Sequence, residues 1–266
     1  MPSPDTVIIT ALPIERDAVL SHLDNYKFKN NYFRGKIQSQ KIAVALTTEM
    51  GNLEAGIIAT KMIETQKPRN IIMLGIAAGI NKVALGDVVV AQFCHYYELA
   101  KLKTNQTEQR PRQYPTSTEL YGKAKNYQNS TWHKAIKTAM PVKSPPPQVH
   151  FGPIASGDKV IADDVTVNKL LAQCPELLAI AMEGAGVARA AQHKEGTHFI
   201  EIRGISDFAD PNKNDNWQAR AADAAATFLM TWLRSWPNES STPSDSSNRN
   251  GNKTYNIKKI KNATFN

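Results

Sequence analysis

Short apolar runs alternate with amphipathic stretches along most of this chain. Residues 6–12 (Thr-Val-Ile-Ile-Thr-Ala-Leu) and 71–75 (Ile-Ile-Met-Leu-Gly) have no polar face, which is typical of strands buried on both sides in a parallel sheet. Residues 14–23 space their apolar side chains as a helix does, and Pro13 stands where the first helical turn tolerates proline. The pattern therefore predicts a buried strand, then a helix, and a second buried strand further on.

The same criteria predict the remaining elements. Further strands are expected at residues 32–37, 41–47, 88–97, 149–157, 178–182 and 199–206. Further helices are expected at residues 52–66, 117–125, 131–139, 165–171, 185–193 and 216–236. Strands that alternate with helices predict an α/β fold, a single three-layer α/β/α domain with a twisted, largely parallel (mixed) central sheet.

The composition changes sharply after Trp236. Residues 237–253 are almost wholly Asn, Ser, Pro, Thr, Gly and charged residues, which lack the apolar content that folding requires. Apolar residues return only between 254 and 265. We therefore predict a domain at 1–237, followed by a polar linker and C-terminal tail at 238–266 that would join another domain.

Composition narrows the class of protein. The chain has 41% hydrophobic residues and only two cysteines, Cys94 and Cys174, so neither a disulfide framework nor a zinc site is expected. The N-terminus lacks the basic and apolar regions of a signal peptide, and the longest apolar run, residues 71–80, is too short to span a bilayer. A cytoplasmic protein without membrane contact is expected.

Much of the net charge of +8 lies in one segment. Residues 101–148 hold nine Lys or Arg and two acidic residues, Glu108 and Glu119. Such a surplus fits nucleic acid, a membrane surface, an anionic small molecule or simply a solvated face. No zinc-finger or RNA-binding signature accompanies it, so a nucleic-acid partner is not expected.

Three acidic residues follow predicted strands. Glu15, Glu183 and Asp207 each stand at or just after a strand end, where the sites of α/β sheets form. Each alone could be an acid that favours a helix N-terminus. Three at strand ends beside Gly/Ala-rich turns favour a site for glycosidic chemistry, which needs an acid for the leaving group and a carboxylate that orients water.

An ordered set of short blocks carries a family resemblance. The blocks are residues 8–15, Gly75-Ile76-Ala77-Ala78-Gly79, residues 85–90, Ser156-Gly157-Asp158, Ala181-Met182-Glu183-Gly184 and Arg203-Gly204-Ile205-Ser206-Asp207. In this order they resemble the nucleoside phosphorylase and methylthioadenosine/S-adenosylhomocysteine nucleosidase superfamily. The resemblance covers residues 6 to about 236 and implies a nucleoside phosphorylase-like fold.

The resemblance also implies residue roles. Asp207 would donate to nitrogen 7 of a purine and favour adenine, and Glu15 would activate water. Glu183 and the Met182 backbone would hold the ribose hydroxyls. The remaining substrate-binding residues implied are Ala77, Ala78 and Gly79 below the sugar, Val160, Ile161 and Phe208 at the base, and Ser206 and Met50.

Two departures from the family's phosphorolytic members bear on the nucleophile. Met73 and Ile76 occupy the places where those members put an Arg and a Ser for phosphate. Neither side chain can bind phosphate, so the resemblance favours water.

The segment after the strand at 88–97 bears on the 5′ end of the substrate. The methylthioadenosine enzymes of the resembled family have apolar side chains there, whereas the matching positions of this chain hold Lys101, Thr104 and Gln106. Lys103, Arg110 and Arg112 are nearby. A thioether would leave these cations without partners, and a phosphate chain would satisfy them.

The sequence therefore predicts an N-glycosidase that releases adenine from an adenine nucleoside 5′-phosphate such as ATP. Effector domains of immune-type proteins belong to the resembled family, so an antiviral role is one reading. The alternatives are a methylthioadenosine/S-adenosylhomocysteine nucleosidase and a non-catalytic nucleotide sensor. The resemblance implies no metal or organic cofactor, a small-molecule adenine nucleoside or nucleotide as partner, and a homo-oligomer.

Overall fold

The computed structural model describes residues 3–211 and 215–237. The strands are β1 (Thr6–Thr10), β2 (Asn25–Lys29), β3 (Tyr32–Ile37), β4 (Gln40–Leu46), β5 (Asn70–Gly79), β6 (Val88–Tyr96), β7 (Ala100–Lys103), β8 (Gln106–Gln109), β9 (Arg112–Pro115), β10 (Val149–Ser156), β11 (Ala179–Ala181) and β12 (His198–Asp207). The α-helices are α1 (Pro13–Ser21), α2 (Asn52–Gln66), α3 (Thr118–Lys125), α4 (Asp164–Gln173), α5 (Gly184–Gln192) and α6 (Gln218–Arg234), and Trp132–Ala135 is a 3-10 turn.

One mixed sheet organises the domain. Its strand order is β11-β10-β6-β12-β5-β1-β4-β3-β2, with β9 added beside β6. Strands β4, β1, β5 and β12 run parallel, and β6, β10 and β11 form a second parallel group. Since β12 pairs antiparallel with β6 and β11 pairs antiparallel with β5, the strands β5, β12, β6, β10 and β11 form a closed ring.

Helices cover both faces of this sheet. Ile8 of β1 packs in a core cluster that includes residues of α1, α3 and α6, whereas its neighbours Val7 and Ile9 pack with residues of α2 and α5. Alternate residues of a strand point to opposite faces, so a strand flanked by helices must be apolar on both sides. The predicted three-layer α/β fold is confirmed.

The basic segment differs most from the prediction. The helix predicted at 131–139 is wrong, because only the 3-10 turn at Trp132–Ala135 forms there. Strands β7 and β8 pair with each other, and β9 pairs antiparallel with β6. These strands form through their partners and carry little apolar periodicity of their own.

No helix in the described residues is long and apolar enough to cross a membrane. The predicted tail at 238–266 lies outside the described residues, and the domain boundary stays a prediction.

A buried carboxylate on α6 ties distant segments together. Asp223 accepts hydrogen bonds from the backbone N–H groups of Lys137 and Thr138 at 2.7 and 2.6 Å, and it contacts His22 Nε2 at 2.8 Å. Burial alone would raise the pKa of Asp223, but the hydrogen bonds from His22 and Thr138 lower it to about 2. The end of α1 and the chain after the 3-10 turn are thereby anchored on α6.

Replacing this carboxylate tests the anchor. Asp223→Asn should lower the free energy of unfolding by about 2 kcal/mol, because an amide cannot accept from all of these donors. Since the pKa of Asp223 is lower in the folded chain than in the unfolded chain, its stabilising contribution is present above about pH 4 and lost towards pH 2. Urea unfolding at pH 7 and at pH 3 measures both effects. Asp17→Asn at an exposed position is the control and should change stability by less than about 0.5 kcal/mol.

Candidate active site

A cavity of about 320 Å³ lies where several strands end. Most of the residues that line it come at or just after the carboxyl ends of β1, β5, β10, β11 and β12, and others come from inside β12, from the segment before α2 and from the starts of α1 and α6. They are Ala11, Leu12, Glu15, Met50, Ile76, Ala77, Ala78, Lys159, Val160, Ile161, Ile180, Ala181, Met182, Glu183, Arg203, Ser206, Asp207 and Gln218. The fold thus brings residues from most of the length of the domain to one pocket.

Glu15 is fixed at the start of α1. Pro13 opens the helix directly after β1, and the Glu15 carboxylate turns back to accept from the N–H groups of Ala11 and Leu12 at 2.8 and 2.9 Å. Its other oxygen accepts from the Ile76 N–H at 2.8 Å. Burial raises the pKa of Glu15 to about 7, against the lowering effect of the Arg203 guanidinium. A carboxyl group with a pKa near the working pH suits a general base.

Arg203 is a buried cation among carboxylates. From the core of β12, its Nε donates to Glu201 and its Nη2 donates to Glu183, both at 2.8 Å. Its Nη1 donates to the Ile76 carbonyl at 3.2 Å. The neighbouring negative charges hold the pKa of Arg203 above its usual range, despite its burial. Arg203 is therefore charged, and its guanidinium links β12 to the end of β5 and the start of α5.

Gly75 lets Glu15 and Arg203 approach the same stretch of β5. A Cβ at this position would lie 2.3 Å from Glu15 Oε1 and 2.6 Å from Arg203 Nη1. Neither distance is possible for real atoms, so a side chain here would displace one or both groups. The requirement for glycine arises from close approach.

Glu183 stands directly before α5. Its Oε2 accepts from Arg203, and the Gly51 N–H lies 3.4 Å from its Oε1. The starts of α2 and α5 are joined behind it, because the Asn52 side chain accepts from the Gly186 N–H and from the Ser156 hydroxyl, both at 2.9 Å. The Glu183 carboxylate is therefore held in place while it faces the cavity.

Asp207 occupies the end of β12. The Ser206 hydroxyl donates to Asp207 Oδ2 at 2.9 Å, and the Ala209 N–H donates to Oδ1 at 3.1 Å. Ala209 has a φ of +58°, so the chain turns sharply after the strand. This turn brings a backbone donor to the carboxylate and keeps its orientation fixed.

The structure brings most of the predicted site residues together. Those that line the cavity are Glu15, Met50, Ala77, Ala78, Val160, Ile161, Met182, Glu183, Ser206 and Asp207. Gly79 and Phe208 are not among the residues that line this cavity. Their predicted contacts with the sugar and the base stay predictions.

The four predicted phosphate-binding cations lie elsewhere. Lys101, Lys103, Arg110 and Arg112 are exposed, and none of them lines the cavity. Lys103 of β7 pairs with Glu108 of β8, and Arg110, directly after β8, pairs with the same carboxylate, both at 2.7 Å. The charge of Lys103 and Arg110 is thus partly neutralised on the surface. The phosphate-binding role that the resemblance implied for the four cations stays a prediction.

The sequence reasoning missed three lining residues of chemical interest. Arg203 and Lys159 are charged, and Leu12 is an apolar residue at the end of the first predicted strand. Arg203 could have been noticed, since a cation and Glu201 interrupt an otherwise apolar strand on the same face. Lys159 carried no comparable signal.

Comparisons with known proteins agree with this fold. The family model of the phosphorylase superfamily matches residues 5–234. An ATP nucleosidase, Cap17, of Escherichia coli is 29% identical over 260 residues, covering 87% of this chain and 51% of that protein. This chain thus spans about half the length of that relative. A 5′-methylthioadenosine/S-adenosylhomocysteine nucleosidase of Desulfotalea psychrophila is 25% identical over 228 residues, covering 82% of this chain and 91% of that protein.

A solved structure gives the same picture. The S-adenosylhomocysteine nucleosidase of Streptococcus pyogenes, in complex with 5-methylthiotubericidin, superposes with a TM-score of 0.70 at 26% identity. The match covers 90% of this chain and 99% of that chain.

The close approach at Gly75 can be tested with a matched pair of variants. Gly75→Ala should lower the free energy of unfolding by about 1–3 kcal/mol and reduce any activity of the cavity by about 100-fold, because Glu15 and Arg203 must move. Gly122→Ala, in the middle of α3 with open space around it, should stabilise the protein by up to about 1 kcal/mol. Unfolding and activity assays on both proteins check this. A Gly75→Ala protein as stable and active as Gly122→Ala would contradict the packing argument.

Proposed function

This chain belongs to the phosphorylase superfamily, and we propose that it is an N-glycosidase that hydrolyses the bond between adenine and ribose. One observation carries the proposal: Glu15, Glu183 and Asp207, far apart in the sequence, line one cavity. A general base, a ribose clamp and a general acid are what hydrolysis of an N-ribosyl bond needs.

Each carboxyl group has one task in the proposed reaction. Asp207 gives a proton to nitrogen 7, so that the base leaves as neutral adenine. Glu183 accepts hydrogen bonds from the ribose hydroxyls. Glu15 takes a proton from water, whose oxygen bonds to carbon 1 of the sugar as the bond to the base breaks. The products are adenine and the free ribose derivative.

Features of the cavity support water rather than phosphate as the nucleophile. Ile76 presents an apolar side chain where an anion would need a donor, and Met73 is fully buried. Arg203 already pairs with two carboxylates, Glu183 and Glu201. Glu15 lies nearby with a pKa raised by burial to about 7, so it can accept a proton from water near neutral pH.

Replacing the proposed acid tests this mechanism. Asp207→Asn should reduce adenine release by about 10²–10⁴-fold, because an amide cannot protonate nitrogen 7. Chromatographic detection of free adenine in phosphate-free buffer is the measurement, with wild-type protein as reference. Formation of a ribose 1-phosphate that depends on added phosphate would identify a phosphorylase and refute the proposal.

For the substrate we propose an adenine nucleoside 5′-phosphate such as ATP. The similarity to the Cap17 ATP nucleosidase supports this choice. Lys159 lines the cavity and pairs with Glu98, so its ammonium group can exchange this carboxylate for a phosphate. The ion pair is largely exposed on the lysine side, and exchanging one anion for another costs little.

The second candidate is a methylthioadenosine/S-adenosylhomocysteine nucleosidase. The observation that favours it is the apolar lining by Leu12, Met50 and Val160, which suits a thioether better than a polyphosphate. Relatives with that name match over 73–84% of this chain. The non-catalytic sensor is disfavoured, because burying Glu15 is costly and nucleotide binding does not require it.

Replacing basic residues distinguishes the two candidate substrates. Lys159→Ala should raise KM for ATP about tenfold and leave KM for adenosine unchanged, since it removes one charge-assisted contact. The double variant Arg110→Ala/Arg112→Ala should change KM for ATP and KM for adenosine by the same factor. Kinetics of adenine release from ATP, AMP, adenosine and methylthioadenosine check both. If only the double variant discriminates, the phosphates bind the basic segment; if neither does and methylthioadenosine is the best substrate, the second candidate is correct.

We further propose the effector role and the homo-oligomer that the resemblance implies, and the cytoplasmic location expected from the composition. The similarity to Cap17 supports the first of these.

A further inference from the structure

Glu201 is a fully buried carboxylate outside the cavity lining. It lies on β12 two residues before Arg203, so both side chains extend from the same face of the strand. Its Oε1 accepts from Arg203 Nε at 2.8 Å. Its Oε2 accepts from the Cys94 thiol of β6 at 3.0 Å. Burial and the charge of Glu201 raise the pKa of Cys94 well above its usual value, so the thiol is neutral and donates.

The start of α5 is shaped around this carboxylate. A Cβ on Gly184 would lie 2.1 Å from Glu201 Oε2, so the first residue of the helix must be glycine for the carboxylate to fit. The positive end of the helix dipole favours a negative charge at this place. Glu201 is therefore held by a guanidinium, a thiol and a helix N-terminus, three groups that all stabilise an anion.

The charges around Arg203 do not balance. Against the one guanidinium the structure brings Glu15 from α1, Glu183 from the start of α5 and Glu201 from β12, with the neutral Cys94 of β6 beside them. In a buried site, three carboxylates compete for one cation. Glu183 and Glu201 hold direct hydrogen bonds to it, whereas Glu15 is bound by backbone N–H groups.

We propose that Glu201 is a positioning residue that sets the pH at which Glu15 becomes charged. Its negative charge offsets part of the attraction that the Arg203 guanidinium exerts on the Glu15 carboxylate. Without Glu201, the guanidinium would stabilise the Glu15 carboxylate more strongly and the base would be too weak near neutral pH. The inference rests on the proposed function in one respect: Glu15 is the base of the hydrolysis.

The test is the pH dependence of kcat/KM in Glu201→Gln. In the wild-type protein, activity should fall below about pH 7 as Glu15 is protonated. In Glu201→Gln the low-pH side of this profile should move down by about one pH unit, because the attraction between the Arg203 guanidinium and the Glu15 carboxylate is then less opposed. A lower rate at every pH with the low-pH side unmoved would overturn the proposal, because that is the result of structural damage alone.

Two control variants separate charge from packing. Cys94→Ala removes the other side-chain contact of Glu201 and keeps its charge, so the low-pH side of the profile should stay in place. Glu201→Asp keeps the charge on a shorter side chain, so its kcat/KM should fall at a pH close to that of the wild type. A low-pH side that moves as far in Cys94→Ala as in Glu201→Gln would contradict a charge effect.

A direct titration makes the test independent of turnover. The carboxyl carbon signal of Glu15 can be followed by NMR in glutamate-labelled wild-type and Glu201→Gln protein, and it is assigned through Glu15→Gln. We expect the midpoint of Glu15 to be lower in Glu201→Gln than in the wild type. An unchanged midpoint would refute the proposal. A lowered Glu15 midpoint in Glu201→Gln without adenine release by the wild type would instead refute the proposed function and leave the role of Glu201 standing.

Discussion

The buried guanidinium of Arg203 among three carboxylates is the interaction on which the site depends. It joins β12 to the end of β5 through the Ile76 carbonyl and to the start of α5 through Glu183. A buried cation without partners would be prohibitively costly, and so would a set of buried carboxylates without a cation. Each member therefore requires the others, and removing one leaves an uncompensated charge in the core.

This charged cluster explains features of the surrounding backbone. Gly75 and Gly184 occur where a Cβ would collide with Glu15 and with Glu201. The closed ring of β5, β12, β6, β10 and β11 places Cys94 beside Glu201 and brings the end of β5 next to β11. Close packing of backbone against charged side chains excludes water, which strengthens the electrostatic interactions on which the proposed chemistry relies.

The two ends of the cavity differ in what holds their lining residues in place. The reacting end is held by the backbone, since N–H groups fix Glu15 and Asp207. The outer end is lined by side chains such as Met50, Val160 and Lys159, all of which are exposed. The backbone thus determines the position of the carboxylates, whereas exposed side chains determine the chemistry of the rim.

The sequence by itself determined the α/β fold class and the three acidic residues at strand ends, because apolar periodicity and chain order are local properties that a strand or helix expresses directly. Only the tertiary structure decided the raised pKa of Glu15, the partners of Arg203 and the surface position of Lys101, Lys103, Arg110 and Arg112. These depend on burial and on distances between residues far apart in the chain. A charged residue in a sequence carries no sign of which other charges will surround it after folding, and the strength of each charge depends on those neighbours.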